Sequence, residues 1–428
     1  MSPETIAAAP AEASREASGP VAGRAAAAEG TRSGSGAGAA ADRIVTGRAP
    51  GSGRPIAVTV RQGRIAAIGP GPSTETSWLA PGLVDLQVNG FAGHDLNAED
   101  TTARTVVGLT RALYGHGVTT FVPTVITAAH DRMAHTLEVI AEARRRDPLV
   151  RHAIPYAHLE GPHLSAQDGP RGVHAAEHIR PPSLREFAHW QAVSGGLVGM
   201  VTLSPHFAQA AAYTAELTSR GVHIAIGHTH ASSAEITAVV DAGARLSTHL
   251  GNGTHAVLPR HPNYLWAQLA EDRLTAGFIA DGHHLPAETL TALVRAKGLE
   301  RSVLVSDAVA LAGMPPGRYR TPVGGSVDLA PDGRLAQPGS PYLAGATRSL
   351  ADGVAQAIVA ARLTLGEAVA LATRRPGRFT GGRGRIEVGA PADLLRFTWA
   401  PGDPALAVGT VLARGREVFA GPETGERT

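Results

Sequence analysis

The chain has 428 residues, 43% of them hydrophobic, and its 39 basic and 37 acidic side chains give a net charge of +2. This balance provides no broad field for nucleic acid or an anionic membrane surface, and no run reaches the roughly 18 apolar residues of a membrane span. There is no cysteine, which excludes disulfides, thiol nucleophiles and cysteine-ligated metals, so we expect a small-molecule partner and any metal on His, Asp or Glu.

The two ends of the chain differ from its middle. Residues 1–41 are rich in Ala, Gly, Ser and Pro without apolar periodicity, and we expect a disordered tail there. The tail shows no basic segment followed by an apolar one, so we expect a cytoplasmic protein. Short β-rich runs fill residues 42–80 and return over residues 381–428, and together they predict one small β-sandwich domain built from both ends.

Between residues 81 and 380, eight apolar strands alternate with amphipathic helices. The predicted strands are 83–88, 117–124, 153–160, 197–204, 222–228, 244–249, 276–281 and 302–307. Eight such alternations predict an α/β fold, a (β/α)₈ barrel of the TIM type, with an open doubly wound sheet as the alternative.

Polar residues at the strand ends favour the barrel, because the carboxyl ends of barrel strands meet on the active-site face. They are Gln87, Asn89, Glu160, His206, His228, His249, Asp281 and Asp307.

Three of these residues predict a metal site. Glu160, His228 and His249 end the third, fifth and sixth strands, and one carboxylate with two imidazoles on one rim leaves an open position on a divalent ion. Each residue alone would more often be a structural hydrogen-bonding group; their joint occurrence favours the metal. Asp307 ends the eighth strand, where a carboxylate can exchange a proton with an attacking water, although a turn or N-cap role is equally common for such a residue.

Six short motifs occur in order within residues 43–420. They are PGLVD at 81–85, HLEGP at 158–162, GHT at 227–229, THL at 248–250, DGHH at 281–284 and VSDA at 305–308. Together they resemble the N-acetylglucosamine-6-phosphate deacetylases of the amidohydrolase superfamily. The resemblance implies hydrolysis of the acetamide of N-acetylglucosamine 6-phosphate, or of a close N-acetylamino sugar phosphate, to acetate and the amino sugar phosphate.

The resemblance also implies a single metal. Many superfamily members have His-x-His in the first strand, which binds a second metal, whereas this chain has Gln87 and Asn89, both poor ligands. Its only lysine, Lys297, follows a predicted helix rather than a strand, so no lysine is placed to bridge two metals. We expect one divalent ion per subunit, zinc by ligand type, with iron or another divalent metal as alternatives.

The same resemblance assigns substrate contacts. His174 contacts the sugar and the acyl carbonyl and helps to stabilise the oxyanion. The resemblance further implies that Arg260 and His284 hold the phosphate, with the arginine reaching across from a partner subunit of a homodimer, and that Asn252 and Gly253 belong to the backbone stretch that helps to hold it. Taken alone, Arg260 is more typical of a solvated loop arginine.

Two departures from the family pattern surround the substrate rather than the metal. Gly251-Asn252-Gly253 replaces an aromatic residue followed by Asn-Ala-Met, and Pro205-His206 replaces Pro-Glu. They leave open an amidohydrolase acting on another N-acyl substrate, such as an unphosphorylated amino sugar, an N-acyl amino acid or a cyclic amide. A non-catalytic relative is a further alternative, disfavoured because all three metal-ligand candidates and Asp307 are present.

Overall fold

The computed structural model describes residues 42–321, 325–339 and 342–422; the predicted tail, residues 1–41, lies outside them. The strands are β1 Arg43–Arg48, β2 Pro55–Arg61, β3 Arg64–Pro70, β4 Trp78–Pro81, β5 Leu83–Val88, β6 Gly90–Phe91, β7 His94–Asp95, β8 Val118–Ile126, β9 Ala157–Glu160, β10 Val198–Leu203, β11 His223–Ile226, β12 Leu246–Ser247, β13 Thr275–Ile279, β14 Ser302–Val305, β15 Gly317–Thr321, β16 Gly325–Leu329, β17 Leu335–Ala336, β18 Leu394–Thr398, β19 Ala407–Ala413 and β20 Arg416–Ala420.

Helices occupy most of the segments between the barrel strands. They are α1 Ala103–Gly115, α2 His130–Arg146, α3 Pro148–Ala153, α4 Leu184–Ser194, α5 Ala210–Ser219, α6 Ser233–Asp241, α7 Tyr264–Ala270, α8 Ala287–Lys297, α9 Leu350–Ala360, α10 Leu365–Leu371 and α11 Arg374–Gly377, with 3₁₀ turns at Ala176–His178 and Leu299–Arg301. Among the described residues, no helix combines the length and apolarity needed to cross a bilayer.

The predicted eight-stranded barrel is confirmed. The strands β5, β8, β9, β10, β11, β12, β13 and β14 pair in that order, all in parallel. At the end of β5, Val88 bridges to Ala308, which lies just beyond β14, and the Asp307 N–H donates to the Gln87 carbonyl at 3.0 Å, which closes the barrel. Closure brings the carboxyl ends of all eight strands to one rim.

The helices pack their apolar faces on the barrel. In α1, Val106, Leu109 and Leu113 are buried at the helical spacing read from the sequence. Helix α6 begins at the predicted capping box: the Ser232 hydroxyl accepts from the Glu235 N–H, and the Glu235 carboxylate accepts from the Ser232 N–H at 2.7 Å. Buried apolar side chains from strands and helices together form the large core of the protein.

Both chain ends contribute to one mostly antiparallel sheet, as predicted. Its strand order is β20-β19-β18-β4-β1-β2-β3. Three strands separate β20 from β1, yet Arg43 of β1 pairs with Glu417 of β20 at 2.5 Å, so the sheet curls until its two halves face each other. A separate apolar cluster, including Val58, Leu79 and Leu394, fills the space between the halves. The domain boundaries at residues 80/81 and 380/381 stay predictions.

Lys297 has a structural position that the sequence did not reveal. It lies at the end of α8 and is buried, and its ammonium donates to the carbonyls of Gln268 at 2.9 Å and Glu271 at 2.7 Å. Burial lowers the pKa of Lys297 to about 8. The contacts satisfy carbonyls at the end of α7 that have no partner within that helix.

A three-stranded antiparallel sheet, β15–β17, follows the last barrel strand and was not predicted from the sequence. Its inner side chains, Val327, Leu329 and Leu335, are buried in a small apolar cluster of their own. It stands at the rim where the barrel strands end: Ala336 of β17 bridges to Leu343, and Ala346, three residues further on, bridges to Ala308 just beyond β14.

Candidate active site

Glu160, His228 and His249 converge at the carboxyl end of the barrel, as predicted. Glu160 is the last residue of β9, and each histidine lies two residues beyond its strand, β11 or β12. The Glu160 Oε1 atom lies 3.0 Å from His249 Nε2 and 3.4 Å from His228 Nε2, and the two Nε2 atoms are 3.1 Å apart. All three side chains are buried, and in the described ranges they form the only such group that could hold a metal ion.

The donor atoms fit a divalent metal. Bonds of about 2.0–2.1 Å to zinc place neighbouring ligand atoms of a tetrahedron a little over 3 Å apart, which matches these separations. The His228 Nδ1–H donates to the Pro170 carbonyl at 2.7 Å, which leaves the Nε2 lone pair free to bind a cation. The Gln87 amide donates to Glu160 Oε1 at 2.8 Å and so orients the carboxylate.

Glu160 stays ionised although it is buried. Burial acts to raise the pKa of Glu160, but hydrogen bonds and positive charge from His228 and His249 outweigh it and hold that pKa well below its usual range. Burial acts to lower the pKa of His249. The hydrogen bond with Glu160 and the negative charge of that carboxylate outweigh burial, so the pKa of His249 is raised. A buried carboxylate that stays ionised needs a compensating positive charge, which a metal supplies.

Three site residues have strained backbones. The φ angles of His228, His249 and Asp307 are +48°, +27° and +50°, in the left-handed region that residues other than glycine rarely adopt. Each such residue costs on the order of 1–3 kcal/mol. Each also lies two residues beyond a strand end, so the strain occurs where the chain leaves the barrel to present these side chains at the rim.

Asp307 faces the same space as the cluster. Its Oδ1 accepts a hydrogen bond from the Asn89 amide at 2.8 Å. Burial, and then the negative charge of Glu160, raise the pKa of Asp307 to about 7. A carboxyl group poised near neutrality beside a metal-binding cluster is suited to general acid–base chemistry.

A cavity of about 850 Å³ opens over the rim and contains most of the predicted substrate contacts. Glu160, His228, His249, Asp307, His174, Asn252, Gly253 and His284 all line it. Arg260 does not line it and is exposed to solvent.

Two histidines of the cavity have defined environments. His174 is buried, with its Nε2 3.4 Å from His228 Nε2; burial, with the charge of His228, lowers the pKa of His174 to about 3, so its ring is a neutral donor at pH 7. The His284 Nδ1 atom lies 2.6 Å from an Asp281 carboxylate oxygen, which fixes the ring against the end of β13.

Sequence reasoning missed several residues that line the cavity. Asp95 and Asn97 enter it because the two-residue strands β6 and β7 fold the chain back, and Thr321 and Leu335 enter from the sheet β15–β17. Such short pairings have no periodicity to read. The reverse also occurs: strand-end His206 lies outside the cavity, with its Nδ1 2.6 Å from Ser204 Oγ.

Gly253 provides a test of how tightly the cluster is supported. It has φ +57°, and a Cβ there would lie 2.8 Å from His228 Nδ1, the atom that donates to Pro170. Because this contact orients a metal ligand, Gly253→Ala is expected to weaken metal binding about 10- to 100-fold. Competition with a chromogenic zinc chelator would measure it.

Gly196→Ala is the matched control, because Gly196 has φ +81° with nothing within 4 Å of the added carbon. It carries the same kind of backbone strain without the contact to His228. Equal zinc affinity in the two variants would contradict the explanation through His228.

Residues 78–418 match the amidohydrolase family. The chain belongs to that family. An N-acetylgalactosamine-6-phosphate deacetylase from Escherichia coli O157:H7 is 32% identical over 75% of this chain and 84% of its own length. An N-acetylglucosamine-6-phosphate deacetylase from Danio rerio is 32% identical over 81% of this chain and 85% of its own.

Solved structures agree with this assignment. A mutant N-acetyl-D-glucosamine-6-phosphate deacetylase from Mycobacterium smegmatis, in complex with N-acetyl-D-glucosamine-6-phosphate, has a TM-score of 0.78 and 28% identity to this amidohydrolase. The similarity covers 89% of this chain and 100% of that one. This amidohydrolase is thus an enzyme, a hydrolase of amide bonds.

Proposed function

We propose that this protein removes the acetyl group of N-acetylglucosamine 6-phosphate, or of a close N-acetylamino sugar phosphate, to give acetate and the free amine. The observation that carries the proposal is the buried cluster of Glu160, His228 and His249, with Asp307 beside it on the wall of one large cavity. The names of the relatives support the substrate class, and they include both the glucosamine and the galactosamine epimers.

The cluster would hold one divalent ion. Nitrogen and carboxylate donors suit zinc, with iron or another divalent metal as alternatives. When bound in such a site, the metal polarises the acyl carbonyl and lowers the pKa of a water molecule.

The residues around the cluster move the protons. Asp307 accepts a proton from the attacking water and delivers it to the nitrogen of the departing amine as the C–N bond breaks. Asn89 holds the Asp307 carboxylate by its 2.8 Å hydrogen bond during both transfers. The neutral imidazole of His174 donates a hydrogen bond to the acyl oxygen, where negative charge develops.

The substrate phosphate would bind in the same cavity as the cluster. We assign His284, Asn252 and Gly253 to it, because they line the same cavity as the cluster. Arg260 would complete this site from a second subunit: it is exposed and outside its own cavity, and the nearby Val257 and Trp266 are 86% and 55% exposed. Two exposed apolar side chains flanking an arginine fit a homodimer interface.

A cytoplasmic location is part of the proposal, because a sugar phosphate is charged and does not cross a membrane unaided. The enzyme would meet its substrate in the compartment where that sugar is phosphorylated.

Acetate release by the zinc-loaded protein tests the function. We expect about one zinc per chain and a kcat/KM at least roughly 100-fold higher for N-acetylglucosamine 6-phosphate than for N-acetylglucosamine, because phosphate contacts of about 1.5–3 kcal/mol each are lost with the unphosphorylated sugar. N-acetylgalactosamine 6-phosphate would be assayed beside them to settle the epimer.

Two outcomes would refute the proposal. Preference for an unphosphorylated sugar, an N-acetyl amino acid or a cyclic amide would establish the alternative amidohydrolase function. If protein with bound zinc hydrolyses none of these substrates, both the proposed deacetylase function and the alternative amidohydrolase function are excluded.

A further inference from the structure

The walls of the cavity have an uneven distribution of charge. Four carboxylates line it: Asp95, Glu160, Asp168 and Asp307. Among the described residues, the lining includes one arginine or lysine, Arg171. Glu160 belongs to the metal cluster, where a bound cation would neutralise it, which leaves Asp95, Asp168 and Asp307 as the acidic groups that a phosphate meets. A phosphate group carries about −1.5 to −2 charges at pH 7 and is repelled by such carboxylates. Apart from the metal ion, Arg171 is the permanently charged cationic group that the described lining offers to a phosphate from within one chain.

The loop that carries Arg171 is held against the segment assigned to the phosphate. A methyl group added at Gly169 would lie 2.8 Å from the Thr254 carbonyl oxygen, and one added at Gly172 would lie 3.6 Å from His228 Cε1. The backbone N–H of Arg171 donates to the Gln167 carbonyl at 2.9 Å and so closes a turn within the loop. The loop is thus packed tightly on residues 254–255 at Gly169, and the Pro170 carbonyl, just before Arg171, accepts the 2.7 Å hydrogen bond from His228.

The guanidinium of Arg171 has little else to bind. Its nearest carboxylate oxygen is on Asp168, at 3.7 Å, beyond hydrogen-bonding distance, and the Asp168 side chain is 79% exposed. An ion pair this open to solvent contributes little to stability, so the N–H donors of the planar guanidinium are available to a ligand.

We propose that Arg171 binds the phosphate of the substrate from within the same chain and thereby selects phosphorylated amino sugars. This rests on the function proposed above. Arginine suits the task because its parallel N–H groups match two phosphate oxygens. Arg260 of a second chain would then add to a site that Arg171 already forms.

Substrate binding without turnover is the direct test. In an Asp307→Asn background, which keeps the metal ligands, Arg171→Gln is expected to raise the Kd for N-acetylglucosamine 6-phosphate about 10- to 100-fold by calorimetry. The Kd for N-acetylglucosamine should change less than about threefold, because that sugar has no phosphate for the guanidinium to bind. The Kd of Arg171→Lys for N-acetylglucosamine 6-phosphate should lie between those of the Arg171 protein and Arg171→Gln, because lysine keeps the positive charge but lacks the paired N–H donors of arginine.

Steady-state kinetics separate a binding role from a structural one. With Asp307 intact, Arg171→Gln should raise KM for the phosphorylated sugar and leave kcat within a few-fold. Arg185→Gln is the matched control: Arg185 is exposed on α4, outside the cavity, so removing its charge should leave KM unchanged.

Failure of this inference and failure of the proposed function give different results. If the wild-type enzyme prefers the phosphorylated sugar and Arg171→Gln keeps that preference, Arg171 does not bind the phosphate, and the other assigned residues account for the preference. If the wild-type enzyme shows no preference for the phosphorylated sugar, the proposed function itself is wrong.

Discussion

Replacing Asp307 with asparagine is expected to lower kcat for acetate release by roughly two to four orders of magnitude, the usual loss when a general acid–base group is removed. Asparagine is the appropriate substitute because it tolerates the left-handed backbone at this position, φ +50°, and keeps an oxygen that can accept from Asn89. The measurement is single-turnover hydrolysis of N-acetylglucosamine 6-phosphate by protein of known zinc content.

The zinc content and the thermal midpoint of Asp307→Asn should match those of the wild type, because Asp307 is not among the three clustered ligands. A variant that keeps its zinc and hydrolyses the substrate at the wild-type rate would remove Asp307 from the reaction.

The pH dependence gives the same residue a second signature. The base must be ionised to accept a proton, so kcat/KM falls as the pH drops through the pKa of Asp307. Burial and Glu160 raise the pKa of Asp307 to about 7 without metal, and a bound cation favours the ionised form and lowers it. The acidic limb should therefore lie below pH 7 in the zinc enzyme and be missing from the residual activity of Asp307→Asn.

Replacing Asp393 with alanine is expected to lower the free energy of unfolding by about 3–5 kcal/mol, because it leaves the buried His152 and the part-buried Arg383 without their carboxylate partner. Asp393 is buried just before β18, 2.8 Å from His152 of α3 and 3.1 Å from Arg383, and it accepts from the Arg414 N–H at 2.8 Å. Denaturant unfolding followed by far-UV circular dichroism would measure the loss.

Asp328→Ala is the control for Asp393→Ala, since it removes an exposed carboxylate paired with Arg318 on the sheet β15–β17, and no change in midpoint is expected. Equal midpoints for Asp393→Ala and the wild type would show that the buried network contributes nothing.

Acid should diminish the effect of Asp393→Ala. Burial acts to raise the pKa of Asp393, but its hydrogen bond with His152 and that residue's charge outweigh burial and lower the pKa below its usual value. The stabilisation is therefore complete above the unfolded-state pKa of about 3.9 and is lost as the pH falls through the lower folded value.

The barrel could be predicted from the sequence because the strands are short segments rich in apolar residues that alternate with helices, and nearly all of their residues are buried, as expected where both faces are covered. The strand β12 shows the limit of this reading: residues 244–249 were predicted, whereas the strand is Leu246–Ser247 and ends before His249 turns into the left-handed region. The pattern of apolar residues does not report such a change of φ.

The metal cluster could be predicted for a related reason. Glu160, His228 and His249 are chemically distinctive and come just after buried strands, and parallel strands must bring their ends together. Arg171 and Asn97 could not be placed in the cavity in this way, because they reach it through loops whose path depends on contacts distant in the chain, such as that between Gly169 and Thr254.

The buried position of Lys297 determines how the surface responds to reagents. Since the chain has no other lysine, every basic side chain on its surface other than histidine is an arginine. Active esters, aldehydes and acyl phosphates, which attack unprotonated amines, find no accessible side-chain amine on the folded protein. An enzyme built this way resists acylation at its surface, and covalent labelling of the folded chain through amines is confined to its α-amino group.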